Sequence, residues 1–343
     1  MIMTAFYSHQ NKWVSARNLL PVIRRFDPPQ DSPPDMKLTF VNEIAKQLQS
    51  ESNKSIEIQT GVHRLFVECK RLRDHLPRAE WTQCIQRMRE SELLGLVHQD
   101  PFTKRAFSKP RGYAGDAVMM DFIYGQEEDW KPPATSSLGL SVFQYTTSAA
   151  ASSGVRARRE NIAEQLDDVA RNHSAPDVLA VACGHLREAS MSSAVRRRKF
   201  GKFIALDADQ ESLKVVDENF GKFGIQCEQS DIRKMLTGRL NYGTFDLIYS
   251  TGLFDYLNRK TAQRLTYHLF SMLNPGGKLV LANFLPSIYD IGYMEAFMDW
   301  FLVYRDRLQM VGLTELIHQE YIWDLRIRVE ENQNIIFLEV TRN

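Results

Sequence analysis

Apolar residues in the first third of the chain recur at helical spacing. Phe40, Ile44 and Leu48 lie four residues apart, and the same spacing returns twice further along. The pattern predicts three helices between residues 36 and 99, forming a small all-α region. Residues 27–35 contain four prolines in nine positions, which predicts an extended linker behind an N-terminal arm.

The pattern changes at about residue 151. An amphipathic helix is predicted there, and short apolar runs then alternate with helical segments. The runs predicted to be strands are VLAVAC (178–183), KFIALD (202–207), FDLIYS (245–250), KLVLAN (278–283) and IIFLEV (335–340). Alternating strands and helices predict a parallel sheet covered by helices on both faces, with a ligand at the carboxyl ends of the strands.

A loop of unusual composition separates these two regions. The sequence KPRGYAGD (109–116) brings two glycines and a proline together with Arg111, Tyr113 and Asp116. This composition is typical of a shaped loop, not of a helix interior. A short helix from Ala117 to Tyr124 is predicted to follow it.

The length of 343 residues suits one large domain with an accessory region. We expect an arm and linker over 1–35, a helical accessory or lid region over 36–149, and a ligand-binding α/β domain over 150–343. With 43 basic and 42 acidic residues, the net charge of +1 gives no overall attraction to nucleic acid or to an anionic membrane.

The predicted location is the cytoplasm. The first residues lack a basic start followed by an apolar run, and no apolar stretch approaches the roughly 18 residues that span a bilayer. The 4 cysteines form no CxxC pair, so we expect no metal site and a reducing compartment.

Acidic residues and a glycine follow the predicted strands in the order that a nucleotide-like ligand requires. Gly184 follows the first strand in ACGHLRE, where small residues allow close approach of a ligand to the backbone. Asp207 ends the second strand, where a carboxylate can accept both ribose hydroxyls. Asp231 follows a third short strand, FGIQCEQ, and Ser250 ends the fourth. A helix cap is the alternative role for both aspartates.

This series, with LNPGGKLVLANF (273–284), resembles the class I S-adenosylmethionine (SAM)-dependent methyltransferases over residues 150–343. The resemblance implies a Rossmann-like sheet with an N-terminal helical accessory or lid domain, and SAM as the cofactor. It assigns Ala182, Cys183 and Gly184 to the methionine end, Asp207 to the ribose, Asp231 to the adenine and Ser250 to the sulfonium. The complete set of implied cofactor residues is Ala182, Cys183, Gly184, Glu188, Asp207, Ala208, Ser230, Asp231, Ile232, Ser250 and Thr251. Ala182 and Leu186 stand where the family often has glycine.

A narrower resemblance covers about residues 100–343. The segment 101–125, ACGHLRE, IYSTGLFDYL and YMEAFMDWFLVYRD (293–306) together resemble a bacterial methyltransferase subfamily. That subfamily includes enzymes that form methyl esters of 3-hydroxy fatty acids and azetidine-2-carboxylate synthases, which cyclise SAM itself. Because members of this subfamily catalyse different reactions, the resemblance implies the fold of the chain more firmly than its substrate.

The catalytic candidates are Tyr113, Ser250 and Arg111. Arg111 could pair with a carboxylate of the cofactor or substrate, and an aromatic face such as that of Tyr113 favours a cation. Asp116 is expected either to orient these side chains or to cap the following helix. His185 could be a base, although a bond to the backbone is its simpler role.

The segment 293–306 is predicted to be largely helical and rich in aromatic residues. It is expected to pack in the core, to line a substrate pocket, or to do both. The residues predicted to bind a substrate are Tyr113, Asp116, Tyr293, Phe297, Trp300 and Tyr304.

Three functions agree with these observations. The first is methylation of a small molecule at a carboxylate, hydroxyl or amine, in bacterial secondary or signalling metabolism. The second is cyclisation of SAM to azetidine-2-carboxylate with release of methylthioadenosine, and the third is SAM binding without catalysis. In each case we expect a small-molecule ligand, no nucleic-acid or membrane partner, and a homodimer as one possible assembly.

Overall fold

The computed structural model describes residues 38–50, 55–125, 132–236 and 242–343. The predicted arm and linker, residues 1–35, lie outside the described residues. The helices before the first strand are Thr39–Gln49 (α1), Ser55–His75 (α2), Arg78–Glu90 (α3), Glu92–Val97 (α4), Pro101–Ser108 (α5), Ala117–Tyr124 (α6), Ser137–Ser148 (α7) and Ala150–Asn172 (α8).

Strands and further helices alternate in the second half. The strands are Val178–Val181 (β1), Phe203–Asp207 (β2), Ile225–Gln229 (β3), Phe245–Ser250 (β4), Leu273–Phe284 (β5), Ile322–Val329 (β6) and Ile335–Arg342 (β7). The helices are Glu188–Met191 (α9), Ser193–Arg196 (α10), Gln210–Phe220 (α11), Ile232–Leu236 (α12), Arg259–Ser271 (α13), Ile291–Phe297 (α14) and Arg307–Val311 (α15).

The helical region begins with four helices instead of the predicted three. The third predicted segment divides into α3 and α4 at Ser91, whose backbone is extended at φ −85° and ψ 162°. The Ser91 hydroxyl donates to the carbonyl of Met88 at 2.7 Å and so satisfies a free group at the end of α3. Apolar spacing continues across the break, which is why the sequence alone did not reveal it.

The seven-stranded sheet has the order β3-β2-β1-β4-β5-β7-β6. Neighbouring strands from β3 to β5 are parallel, whereas β7 is antiparallel to both β5 and β6. The predicted Rossmann-like α/β fold is confirmed. The chain order reverses beside β1, and such a switch point opens a crevice at the carboxyl ends of the strands.

Strand β6 was not predicted from the sequence. Its residues alternate between partly buried and exposed because it forms an edge of the sheet, with β7 as its only strand partner among the described residues. The charged side chains of Arg326 and Arg328 interrupt the apolar run by which the other strands were recognised.

Two apolar cores cover the two faces of the sheet. One joins alternate residues of the strands, such as Ala180 and Tyr249, to the side chains of α1–α8 and α14. The other joins the intervening residues, such as Val181 and Ile248, to α13 and the segment after α15. The N-terminal helices therefore share a continuous core with one face of the sheet. In the described part of the chain, no helix combines the length and the apolar character that crossing a membrane requires.

The aromatic segment 293–306 is helical only as far as Phe297, which corrects the prediction of a longer helix. Asp299 has a left-handed backbone at φ 48°. Its carboxylate accepts from Arg89 at 2.9 Å and also from Lys109. These two cations hold the left-handed residue that directly follows the helix and its cap residue Met298.

Candidate active site

A cavity of about 750 Å³ lies at the carboxyl ends of β1, β2 and β4. The turn after β1, the residues after β2, β3 and β4, the KPRGYAGD loop and α6 form its wall. Ten of the predicted cofactor residues line it, namely Ala182, Cys183, Gly184, Glu188, Asp207, Ala208, Ser230, Asp231, Ile232 and Thr251. Tyr113, Arg111 and Trp300 line it as well.

The turn after β1 keeps a glycine-like backbone although two of its expected glycines are replaced. Ala182, Gly184 and Leu186 have φ values of 54°, 55° and 51°. This left-handed conformation costs a residue with a side chain roughly 1–2 kcal/mol. A Cβ on Gly184 would lie 3.3 Å from the Cβ of Ala117, so the turn also packs closely against the start of α6.

Asp207 is fixed by backbone amides at the end of β2. Its Oδ2 accepts from the Gly184 amide at 2.8 Å, and its Oδ1 accepts from the Asp209 amide at 2.9 Å. Burial raises the pKa of Asp207 above its usual range. A carboxylate oxygen can accept two hydrogen bonds, and each oxygen of Asp207 accepts one from a backbone amide. One lone pair on each oxygen therefore remains for a hydroxyl of a ligand.

Glu188 and Tyr249 meet on the wall of the cavity. The Tyr249 hydroxyl donates to Oε1 of Glu188 at 2.9 Å. Burial raises the pKa of Glu188, although hydrogen bonding and the charge of Arg158 act in the opposite direction. A carboxylate in this position could accept from an ammonium group.

His185 bonds to a side chain and not to the backbone, which corrects the simpler expectation. Its Nδ1 lies 2.7 Å from Oδ2 of Asp121, and its buried Nε2 has no partner among the described residues. Arg187 donates to both oxygens of Asp121 at 2.7 and 2.8 Å. Burial alone would raise the pKa of Asp121, but hydrogen bonds from Arg187 and His185 outweigh it and lower that pKa. The cluster ties α6 to the turn after β1.

Arg111 anchors the KPRGYAGD loop beside the cavity. Arg111 donates to Asp209 at 2.7 Å and to the hydroxyl of Ser212 at 2.9 Å, so its expected ligand partner is replaced by a carboxylate at the start of α11. Burial raises the pKa of the Tyr113 phenol, which therefore stays protonated at neutral pH.

Asp116 caps α6 and does not line the cavity. Its Oδ1 accepts from the Met119 amide at 2.9 Å, and Arg105 donates to both of its oxygens at 2.9 and 2.7 Å. Of the two roles considered for Asp116, the structure shows the cap. Asp116 is fully buried and its carboxylate already accepts three hydrogen bonds from the protein, so it does not face the cavity in which a substrate was expected.

Four other predicted residues also lie away from the cavity. Ser250 is fully buried in β4, because side chains alternate along a strand and Tyr249 and Thr251 take the cavity side. Tyr293 and Phe297 are fully buried in the core, where the Tyr293 ring stacks on Phe66 at 4.1 Å. Tyr304 packs beneath Arg73, whose guanidinium lies 5.9 Å from the ring centre.

An aromatic wall closes the other end of the cavity. The Trp300 indole donates to the Tyr256 hydroxyl at 2.9 Å, and the rings of Tyr113 and Tyr256 meet edge to face at 6.2 Å. Phe284 and Leu302 extend this surface. The cavity thus has a polar end at Asp207 and Asp231 and an aromatic end.

Asp255 is a buried acid beside the aromatic end. Its Oδ1 accepts from the Phe284 amide at 2.8 Å, and its Oδ2 lies 3.8 Å from Arg158. Burial raises the pKa of Asp255 to about 7, although Arg158 acts in the opposite direction. The contact with Phe284 joins the segment after β4 to the end of β5.

The sequence analysis did not assign Asp121, Asp255 or Tyr256 to the site. The two aspartates share a signal that could have identified them. Each is the single charged residue of an apolar run, AVMMDFIY for Asp121 and GLFDYL for Asp255. A lone acid in such a run has to find a partner or face a cavity when the run is buried.

The residues at the polar end fit SAM. Asp207 is held in place with lone pairs to spare. The left-handed turn at Gly184 brings the backbone to the cavity surface, and the unpartnered Nε2 of His185 belongs to a side chain on the same wall.

Comparison with known proteins agrees with this geometry. Residues 178–277 match the family model described as a methyltransferase domain. No curated protein sequence matches the chain. A possible exported protein from Bordetella parapertussis has a similar fold, at 17% identity and a TM-score of 0.52 over 85% of this chain and 99% of that chain.

Two solved methyltransferases are more distantly similar. The N-methyltransferase NodS from Bradyrhizobium japonicum is 14% identical over 54% of this chain and 96% of its own, with a TM-score of 0.39. Magnesium protoporphyrin IX methyltransferase from Synechocystis is 11% identical over 56% of this chain and 84% of its own, with a TM-score of 0.40. The methyltransferase-domain match over residues 178–277 thus lies on the Rossmann-like sheet whose strand ends form the cavity.

Proposed function

We propose that the chain transfers the methyl group of SAM to a small molecule held at the aromatic end of the cavity. The observation that carries this proposal is the two-ended cavity itself. Its volume of about 750 Å³ lies within the range of about 300–1,000 Å³ that is usual for small-molecule sites. The acceptor group is a carboxylate, a hydroxyl or an amine.

The polar end is proposed to hold the cofactor. Asp207 would accept the ribose hydroxyls and Asp231 the adenine amino group. The backbone at Ala182 and Gly184 would border the methionine part, with Glu188 accepting from its amino group. The supporting observation is that all five residues line the same cavity.

When bound, the cofactor supplies a methyl group already activated by its sulfonium. Such a transfer depends on alignment and exclusion of water more than on a strong acid or base. The rings of Tyr113 and Tyr256 would provide the exclusion, and their faces favour a neighbouring cation. Since Tyr113 stays protonated, its hydroxyl can donate a hydrogen bond but does not serve as a base.

The narrower resemblance extends the proposal to bacterial secondary or signalling metabolism. The residues that carry it include Tyr113 and Trp300, which border the cavity, and Tyr293, which packs behind it. The aromatic end, where the loop 109–116 and the segment 298–302 come together, would then select which acceptor molecule binds.

The test is product analysis by mass spectrometry with isotope-labelled SAM and a panel of small acids, alcohols and amines. We expect S-adenosylhomocysteine and a labelled acceptor. Methylthioadenosine formed from SAM alone would instead establish cyclisation. Tight binding of S-adenosylhomocysteine with no turnover of any panel member would establish a binding protein and contradict the proposal.

A further inference from the structure

Strand β6 has a free edge along the described part of the chain. It spans Ile322–Val329 and is hydrogen-bonded on one side to β7, with no strand on its other side. A free edge presents unpaired amide and carbonyl groups that can pair with another strand. The strand is eight residues long, enough for a continuous ladder with a second strand.

Apolar side chains are exposed around this edge. Trp323 is 75% exposed and lies at a bulge in the pairing with β7, and the neighbouring Tyr321 is 52% exposed. Helix α15 packs beside β6, and its Leu308 is 83% exposed. Apolar groups clustered at a strand edge favour contact with another protein surface.

The charges on β6 indicate which surface that is. Asp324 and Arg326 lie two residues apart on the same face and form an ion pair at 2.6 Å. If two copies of the strand pair antiparallel around Leu325, Asp324 of each copy lies opposite Arg326 of the other. Trp323 then lies opposite Ile327. Centring the pair on Asp324 or on Arg326 would instead place like charges opposite each other, which is unfavourable.

We propose that the chain forms a two-fold symmetric dimer in which β6 pairs antiparallel with β6 of a second copy around Leu325. The strand is complementary to itself at this register, which is what an isologous interface requires. The pairing would join two seven-stranded sheets into one continuous sheet. The active-site cavity opens at the strand ends, so both sites would remain accessible in the dimer.

Charge reversal tests this register. The full chain is examined by sedimentation velocity over a range of concentrations. We expect a dimer for the wild type. Asp324→Arg and Arg326→Asp should each weaken dimerisation by roughly tenfold or more, because each places like charges opposite one another twice per dimer. The double variant Asp324→Arg/Arg326→Asp restores opposite charges and should recover dimerisation.

Arg171→Asp is the matched control, since Arg171 is an exposed residue of α8 that also forms a surface ion pair. Thermal unfolding of every variant separates loss of association from loss of folding. The proposal is overturned by a monomeric wild type, as would result if another segment of the chain covered the edge. It is equally overturned by a dimer that neither single reversal weakens, or by a double variant that does not recover.

Discussion

At the scale of single residues, Asp207 combines two tasks. It accepts amide hydrogen bonds from Gly184 and Asp209, and it lines the cavity at the end of β2. An amide in its place would turn one acceptor into a donor that faces a backbone N–H. In the proposed function, the ligand and the turn after β1 therefore depend on the same side chain.

We therefore expect Asp207→Asn to weaken S-adenosylhomocysteine binding by about 10- to 100-fold, the effect of losing a charged hydrogen-bond partner of about 1.5–3 kcal/mol. Calorimetric titration measures this, and Glu218→Gln on the exposed face of α11 serves as the control. An affinity equal to that of the wild type would show that Asp207 does not contact the cofactor.

Gly115 allows the KPRGYAGD loop to reach the aromatic wall. A Cβ at this position would lie 2.5 Å from the Tyr256 hydroxyl and 2.8 Å from Cζ2 of Trp300. Neither distance is possible for a real side chain, so both rings, or the loop itself, would have to move.

Gly115→Ala is accordingly expected to lower kcat/KM for the acceptor by about tenfold or more, because a misplaced wall disturbs alignment. Binding of S-adenosylhomocysteine should change much less. Gly95→Ala is the matched control, since a Cβ there meets nothing within 4 Å. Equal kinetics for the two variants would argue against a role of this wall in holding the acceptor.

At the scale of elements, α14 joins the helical region to the α/β domain. Gly292 lets α14 approach α2 so closely that a Cβ would lie 2.4 Å from the backbone carbon of Cys69. On the neighbouring turn, Glu295 accepts from the Trp81 indole at 2.6 Å. Backbone atoms cannot move aside as a flexible side chain can, so the contact requires glycine.

Gly292→Ala should destabilise the protein by about 1–3 kcal/mol or more, the range for overpacking a tight core. Thermal or denaturant unfolding measures the change. Gly95→Ala is the control, because a Cβ at that position meets no atom within 4 Å. A melting temperature unchanged by Gly292→Ala would mean that the two helices separate easily.

At the scale of the whole molecule, several acids are buried between the helices and the sheet. Burial raises the pKa of Asp100 to about 6 and that of Asp290 to about 6. Asp290 accepts from the Ala151 amide at 2.6 Å at the start of α8, while its Oδ1 has no partner among the described residues. The negative charge of ionised Asp290 is therefore stabilised by few hydrogen-bond donors.

Because the folded pKa of Asp290 lies above its ordinary value, its contribution to stability falls as pH rises from about 4 to about 6. Asp290→Asn keeps an oxygen for the Ala151 amide but cannot ionise. The stability of the variant relative to the wild type should thus rise across this interval, by on the order of 2–3 kcal/mol, and stay level above it. Denaturant unfolding at several pH values measures this. The exposed Asp217→Asn should reproduce the wild-type profile, and a parallel profile for Asp290→Asn would contradict the inference.

The sequence by itself determined the α/β architecture and most of the residues that line the cavity. Strand β4 and helix α6 have the predicted bounds, because local apolar periodicity and the residues that flank each element suffice to define them. Asp207 and Gly184 lie together at the cavity because the fold brings the ends of parallel strands together in a regular way.

Only the tertiary structure decided which side chains reach the cavity. Arg111 pairs with Asp209 and Tyr293 packs on Phe66, each through a neighbour that is distant in sequence and that residue spacing cannot reveal. Asp116 caps α6 through a local contact, which was one of the two roles expected for it. The aromatic segment leaves its helix after Phe297, and Arg89 and Lys109, from other elements, hold Asp299 in the left-handed backbone that follows. Local pattern defines an element, but the partner of a polar side chain depends on how the elements pack.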